Sequence, residues 1–366
     1  MRIALVLRAF SPVGGTEQYA LSLARHLVGE GHEVEVLCGE VDPRLEGEPG
    51  LVVRRLLPHL PRGARGVLAL ARAAEAIDLR AYDVVQGFGR TTRHHVFRAG
   101  GGAHARWLAL RPVGQVERLW QALDPRQRLE LRLDRRAVLG ARVVICNSEM
   151  ARDDLVRWYG LEPLRARVVR NGVDGSRFRP DPAAREAARE AWGVPEGGRV
   201  ALFLGSGFRR KGLDAAARAF ASVAERDDRL VVTGRDSRAA ARLRAAQRLV
   251  GGRLVALGPT SAAERIYPGA DATLLPTHYD PAANTTLEAL SCGVPPVTTA
   301  RDGNAEISPD PRLVVQDPRD VRGLADALRY AWEADLGERC RAVAGAWPVS
   351  RNGAAMTSIY RELTHG

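Results

Sequence analysis

The sequence predicts an α/β protein of two doubly wound domains, each a parallel sheet covered by helices on both faces. Three observations carry this: a length of 366 residues, apolar runs alternating with amphipathic helical stretches nearly end to end, and a restart of that alternation beyond a turn-rich seam. The length suits two domains of roughly 100–200 residues each. A hydrophobic content of 45% supplies material for two cores, which excludes a peptide-sized module or a mainly disordered chain.

Taken in order, Ile3 to Leu7 is the first apolar run. Arg8 interrupts it and Gly14-Gly15 follows, so it reads as a buried strand rather than the core of a signal peptide. Val34 to Leu37, Val52 to Leu57, Val84-Val85 and Val143 to Cys146 read as further strands, with helices over 16–28, 66–79 and 148–159. His94 and His95 fall on another strand. The seam occupies 160–197, where Asn171-Gly172-Val173-Asp174-Gly175, Pro180, Pro182, Pro195 and Gly197-Gly198 cluster. Beyond it Val200 to Leu204, Leu230 to Thr233, Leu254 to Leu257, Ala272 to Leu275, Pro296 to Thr299 and Leu313 to Val315 form a second set of strands. Helices near 212–224, 238–249, 261–267, 285–291 and 318–334 separate them. The two domains are expected to face one another across a cleft, with ligands at the carboxyl ends of the strands.

Charge narrows the function. Of 54 basic residues only Lys211 is lysine, so arginine is the default cation and the lysine needs a local reason. Residues 50–136 hold 17 Arg against 7 Asp or Glu, a large share of the net +11, which predicts a positive field for anionic partners. Residues 104–136 combine eight Arg with Trp107 and Trp120, suited either to an anionic membrane interface or to buried helix faces with solvated arginines. No run approaches ~18 apolar residues, so no membrane span is expected. Four scattered cysteines, Cys38, Cys146, Cys292 and Cys340, suggest neither zinc nor a disulfide framework and fit a reducing compartment. The expected location is the cytoplasm or the cytoplasmic face of the inner membrane.

Four loops after strands carry candidate chemistry. Gly14 and Gly15 permit close backbone approach at a helix start, where a tight turn and a phosphate contact are about equally good readings. They match neither the dinucleotide nor the Walker pattern. Gly205-Ser206-Gly207-Phe208-Arg209-Arg210-Lys211-Gly212 suits a diphosphate: Arg210 can fork onto two oxygens and Lys211 adds a compact charge. A solvated basic turn is the alternative. In Pro276 to Glu288, Asp280 lies in the loop and Glu288 one turn into a helix, with the amides of Asn284, Thr285 and Thr286 expected between them and facing a phosphate. Thr285 and Glu288 also fit a capping box. Gly100-Gly101-Gly102-Ala103-His104 places a histidine beside flexible glycines, where it either reaches a substrate or is merely exposed. No Asp-x-Asp or His-x-x-x-His supports a metal, and no Gly-x-Ser-x-Gly supports a serine hydrolase.

Together these segments resemble the retaining nucleotide-sugar glycosyltransferases of family 4, which have two Rossmann-like domains in the GT-B arrangement. The resemblance runs from Gly14-Gly15 and Glu17 through Gly31-His32-Glu33-Val34 and Asn171-Gly172-Val173-Asp174 to Arg210-Lys211-Gly212 and Leu287-Glu288-Ala289-Leu290-Ser291-Cys292-Gly293-Val294-Pro295. Within the family, the 205–212 loop and Tyr279-Asp280-Pro281 look most similar to lipopolysaccharide core glucosyltransferases. The resemblance implies an acceptor domain over 1–165, a nucleotide-sugar domain over 166–347 and a terminal helix over 348–366 that crosses back to the first. It implies that Arg210 and Lys211 bind the donor diphosphate, that Glu288 holds the ribose, that Asp280 touches the sugar and that His104 is the active-site histidine. Where the family has a longer Glu at the first carboxylate, this chain has Asp280.

The implied reaction is metal-free transfer of a hexose, glucose from UDP-glucose, with retained configuration. The acceptor is an anionic glycolipid or polysaccharide such as the lipopolysaccharide core. No cofactor beyond the UDP-sugar co-substrate is expected. An arginine-rich nucleic-acid-binding protein and a GT-B epimerase or phosphorylase are the alternatives; the 5% aromatic content argues against the first of these.

Overall fold

Two all-parallel sheets organise the chain in a computed structural model that describes residues 1–365. The first compact unit comprises residues 1–109, 113–171 and those from Val349 onward; the second comprises 110–112 and 172–348.

The first unit runs β1 (Arg2–Phe10), α1 (Gly15–Gly29), β2 (Glu33–Val41), β3 (Leu51–Arg55), α2 (Gly63–Glu75), β4 (Val84–Phe88), β5 (Val96–Arg98), α3 (His104–Leu110), α4 (Gln115–Leu123), α5 (Pro125–Gly140), β6 (Val143–Cys146), α6 (Glu149–Tyr159) and β7 (Ala166–Val168). Its sheet order is β3-β2-β1-β4-β5-β6-β7. Ile3, Ala4, Leu5 and Val6 on the central β1 are fully buried, as a strand covered on both faces requires. Helix α1 buries Ala20, Leu21, Leu23, Ala24 and Leu27 against it, apolar at helical spacing.

The second unit runs α7 (Pro182–Ala191), β8 (Val200–Leu204), α8 (Phe208–Lys211), α9 (Leu213–Val223), β9 (Arg229–Thr233), α10 (Ala239–Val250), β10 (Leu254–Gly258), β11 (Ala272–Leu274), α11 (Asn284–Ser291), β12 (Pro296–Thr299), β13 (Val314–Val315), α12 (Val321–Glu333) and α13 (Gly337–Gly345). Its sheet order is β10-β9-β8-β11-β12-β13, again with the first strand of the unit central. The chain then enters α14 (Val349–His365), whose Met356, Ile359 and Tyr360 join the first unit's core beside β1 and α1. Gly353 is where α14 passes α1, because a Cβ there would sit 2.5 Å from the His26 ring. Asn352 Nδ2 donates to Arg170 O at 2.6 Å and ties the helix to the chain leaving the first sheet.

Several elements differ from expectation, among them α7, a helix inside the turn-rich seam. The helix over 261–267 is two short 3-10 turns, Ala263–Arg265 and Tyr267–Gly269; Pro268 lacks an amide and disfavours helical geometry at the residue before it. Strand β7 lies past residue 165 yet pairs with β6, so it belongs to the first sheet; three residues interrupted by Arg167 gave no readable pattern. The strand near His94 and His95 begins at Val96, and the His94 ring instead stacks on Phe97.

Candidate active site

In the second unit the loops leaving β8 and β11 meet. After β8 the chain turns at Gly205 into the single-turn helix α8. Gly207 N–H donates to Arg235 O at 2.7 Å, and Asp236 Oδ2 accepts Phe208 N–H at 2.8 Å, so the loop after β9 caps α8. Phe208 is buried edge-on to Phe203 and anchors the turn in the core. At Gly212 φ is +82°, and a Cβ would fall 2.1 Å from Pro276 O, so only glycine lets the β11 loop approach this closely. His278 N–H donates to Arg210 O at 2.8 Å and Thr277 Oγ1 to the same oxygen at 3.3 Å.

This stitching aims both cations at one carboxylate. Arg210 Nη1 and Lys211 Nζ each lie 2.7 Å from Asp280 Oδ2, and Arg210 Nη1 also donates to Tyr279 O at 3.1 Å. Lys211 is 5% exposed, so its ammonium sits where Coulomb attraction is least screened. Gly205 gives its stem room: a Cβ there would be 3.2 Å from Lys211 Cε. Burial alone would raise the Asp280 carboxyl, but Lys211 and then Arg210 outweigh it and hold the group at about 2. Asp280 is therefore engaged by the two cations, and its expected contact with a sugar hydroxyl must coexist with both.

Glu288 faces inward from α11, where Tyr267 Oη donates to its Oε2 at 2.7 Å. Burial pushes the Glu288 carboxyl up, opposed by that hydrogen bond and by the charges of Arg177 and Lys211. The capping box between Thr285 and Glu288 does not form. Ala283 occupies the cap position without a side-chain bond, and Thr285 Oγ1 is buried with no hydrogen-bond partner. Asp302 caps the segment from outside the helix. Its carboxylate accepts Ala283 N–H at 3.0 Å and Thr286 Oγ1–H at 2.7 Å, and Asn304 Nδ2 donates to Ala283 O at 2.8 Å. Thr286 N–H closes a turn onto Ala283 O at 3.0 Å, so of the three amides expected to face a phosphate this one is already engaged. Desolvation and the neighbouring Asp280 push the Asp302 carboxyl up.

Three proposed site residues lie in the first unit. Gly14 precedes α1 with φ +111°, and a Cβ would fall 2.3 Å from Glu17 Oε2. Gly15 is the first residue of α1. His104 opens α3: Asp134 Oδ2 accepts its amide at 3.2 Å, Nε2 lies 2.9 Å from Gln127 Oε1 and 3.6 Å from Glu130 Oε2. Arg210, Lys211, Asp280, Asn284, Thr285, Thr286, Glu288 and Gly205 all lie in the second unit, where the structure brings the two cations and Asp280 into direct contact. Sequence reasoning missed Asp236, Tyr267 and Asp302. The Asp302-Gly303-Asn304 turn was the one readable signal among them, since aspartate before such a turn commonly accepts its amides.

Among the described residues no helix is long and apolar enough to cross a membrane. The arginine surplus of the first unit is partly spent on internal ion pairs: Arg54 with Glu35, Arg90 and Arg126 with Glu130, and Arg136 with Glu75.

Comparison with known proteins places this architecture. Residues 13–177 match the family described as Glycosyltransferase Family 4, and residues 184–344 match Glycosyl transferases group 1. A D-inositol 3-phosphate glycosyltransferase of Xylanimonas cellulosilytica is 30% identical over 399 residues, covering 96% of this chain and 92% of the relative. Among solved structures, WaaG, a glycosyltransferase involved in lipopolysaccharide biosynthesis, superposes with a TM-score of 0.82 at 22% identity and 100% coverage of both chains. Anabaena Alr3699/HepE in complex with UDP-glucose gives 0.75 at 17% identity, covering 99% of this chain and 100% of that one. The two sheets, their strand orders and these matches agree, and the chain belongs to the GT-B glycosyltransferases of the family 4 and group 1 type.

Proposed function

We propose that the protein is a configuration-retaining, metal-independent hexosyltransferase that uses a nucleotide diphosphate sugar, UDP-glucose by preference, and an anionic glycolipid acceptor of the lipopolysaccharide core kind. The observation that carries the donor half is the convergence of Arg210 Nη1 and Lys211 Nζ on Asp280 Oδ2, each at 2.7 Å. As the bond between sugar and phosphate breaks, negative charge grows on the diphosphate. Cations already held in place stabilise that charge more in the transition state than in the ground state. Arg210 supplies a fork for two phosphate oxygens and Lys211 a point charge. This pair supports departure of the leaving group without a metal. Glu288, facing inward beside Tyr267, is suited to accept the ribose hydroxyls. Front-face attack, with the departing phosphate oxygen taking the acceptor proton, needs no carboxylate nucleophile and yields retention.

The acceptor half rests on α4. Val116, Leu119, Trp120 and Leu123 share one helical face and are 71%, 64%, 70% and 52% exposed, with Arg118 and Arg126 exposed nearby. An exposed apolar stripe on a helix of the arginine-rich first unit fits the interface of an anionic bilayer, the setting of a lipid-anchored acceptor. The D-inositol 3-phosphate in the relative's name carries a phosphate, which supports an anionic acceptor.

A thermal-shift panel of UDP, GDP, ADP and their sugars, run on wild type, Lys211→Ala and Glu288→Ala, tests the donor reading. Stabilisation by UDP-glucose that both variants weaken is expected. Equal shifts in all three proteins would remove the site assignment. Anomeric NMR of the product then decides retention.

A further inference from the structure

We propose that Arg98, at the end of β5 in the first unit, receives an anionic group of the acceptor, a phosphoryl or carboxylate group, through the adjoining glycine run 100–102. The identification of the ligand as acceptor rests on the transferase reading above; the existence of the anion site does not.

Arg98 is 5% exposed and forms no ion pair with any carboxylate among the described residues. Its Nη2 donates to the neutral Asn171 Oδ1 at 2.5 Å, and its guanidinium carbon lies 3.5 Å from the centroid of the Tyr19 ring. Its Nε is buried with no hydrogen-bond partner, as is Nε2 of Gln86. The two side chains share a face of the sheet, because Gln86 pairs with Val96 and Phe88 with Arg98 across β4 and β5. A buried charge needs a counter-charge, and the groups in contact with this guanidinium, Asn171 and Tyr19, are neutral. The other buried cation among the described residues, Lys211, has Asp280. Among the described residues the fold supplies Arg98 no counter-charge.

The route to it is distinctive. Arg98 is followed by Ala99 and three glycines, at the carboxyl edge of a parallel sheet where such folds bind ligands. A Cβ on Gly100 would fall 2.1 Å from Arg98 Nη1, so the guanidinium lies directly against glycine backbone. Gly101 is exposed, and Gly102 takes φ +65°, which favours glycine. The run thus presents backbone and no side chains of its own beside Arg98 Nη1. His104, the first residue of α3, follows the run directly in sequence.

The test is direct binding rather than turnover, so it fails or succeeds independently of the donor reading. Titrate the full chain calorimetrically with inorganic phosphate and, separately, with D-glucuronate, for wild type, Arg98→Met, Gly100→Ala and Arg210→Met. Wild type should bind at least one of the two anions. Arg98→Met should lose about tenfold or more in affinity, as expected for removing a charge-assisted bond. Gly100→Ala, which keeps the cation but crowds Nη1, should lose affinity as well. Arg210→Met should keep the site. A response to phosphate alone assigns a phosphoryl acceptor, and one to glucuronate alone a carboxylated acceptor. The proposal is overturned if wild type binds neither anion, if Arg98→Met and Gly100→Ala, with unchanged circular dichroism, bind as wild type does, or if binding is lost in Arg210→Met alone. Should Arg98→Met fail to fold, Gly100→Ala carries the decision.

Discussion

Lys211 Nζ lies 2.7 Å from Asp280 Oδ2, and both side chains are nearly buried. The only lysine of the chain is thus neutralised by the fold before any donor arrives, with Arg210 sharing the same oxygen. On the proposed reading, an incoming diphosphate would not meet free cations but a site whose charges are already fixed in position, which would remove reorganisation from the bond-breaking step.

Lys211→Ala should therefore cut turnover strongly while the sheet stays formed. Loss of one preorganised donor costs about 2.7–4 kcal/mol in other enzymes, or roughly 10²–10³ in kcat. Lys211→Arg should not restore the rate, since the planar fork cannot occupy the slot beside Gly205 that a slim ammonium stem fills. Initial rates of UDP release at saturating donor measure both variants. A Lys211→Ala enzyme at half the wild-type rate would contradict the assignment.

The same pair sets an acid limit. The folded Asp280 carboxyl sits at about 2, below the ordinary unfolded value of about 3.9, so the unfolded chain binds this proton first as pH falls. Stability from the pair is complete above about pH 4 and is lost as pH drops toward 2. Asp280→Asn should remove that part of the slope while lowering stability at neutral pH, because it leaves the buried ammonium unpaired. Urea melts at half-unit steps from pH 2.5 to 6 compare the two slopes. Identical slopes would show that Asp280 carries no pH-linked stability.

Much of this was legible in the chain. Runs such as Val200 to Leu204 gave their strands, and the lone lysine between glycines marked the cation loop. What could not be read was the partnering of buried polar groups contributed by distant segments. Tyr267 reaches Glu288 across 21 positions and Asp302 reaches Ala283 across 19, and neither spacing belongs to a helix or strand period. Local pattern instead suggested a capping box at Thr285 and Glu288, which fails because the inward direction of Glu288 brings it to a phenol rather than to its own helix start. Tyr267 itself fell inside a misread helix, hidden by the apolar letters around Pro268.

Tyr267→Phe tests that phenol. Burial raises the Glu288 carboxyl and the tyrosine hydrogen bond pulls it back, so removing the hydroxyl should raise it further. More of Glu288 is then protonated at any given acidic pH, and the pH below which donor KM rises should move upward, with kcat at neutral pH little changed. Glu288→Gln should show high donor KM at every pH and no such limb. Donor KM measured from pH 5 to 8 separates the variants; an unmoved limb in Tyr267→Phe would detach Tyr267 from donor binding.

The apolar face of α4 makes the last prediction, and it is independent of the donor loop. Leu119 and Trp120 are 64% and 70% exposed, next to Arg118. Burying a large apolar side chain is worth about 1.5–3 kcal/mol, so a membrane that accepts both should lose roughly tenfold or more in partitioning when either is made polar. An arginine that reaches an anionic surface adds about 1 kcal/mol, screened by salt. Co-sedimentation with vesicles containing phosphatidylglycerol should show wild type bound at low salt and Leu119→Ser/Trp120→Ser largely free. On neutral phosphatidylcholine vesicles both proteins should bind weakly. Because these side chains are exposed, the double variant should keep the melting temperature and the UDP-glucose response of wild type. Equal sedimentation of the two proteins on anionic vesicles would remove α4 as the docking face and, with it, the structural support for a membrane-anchored acceptor.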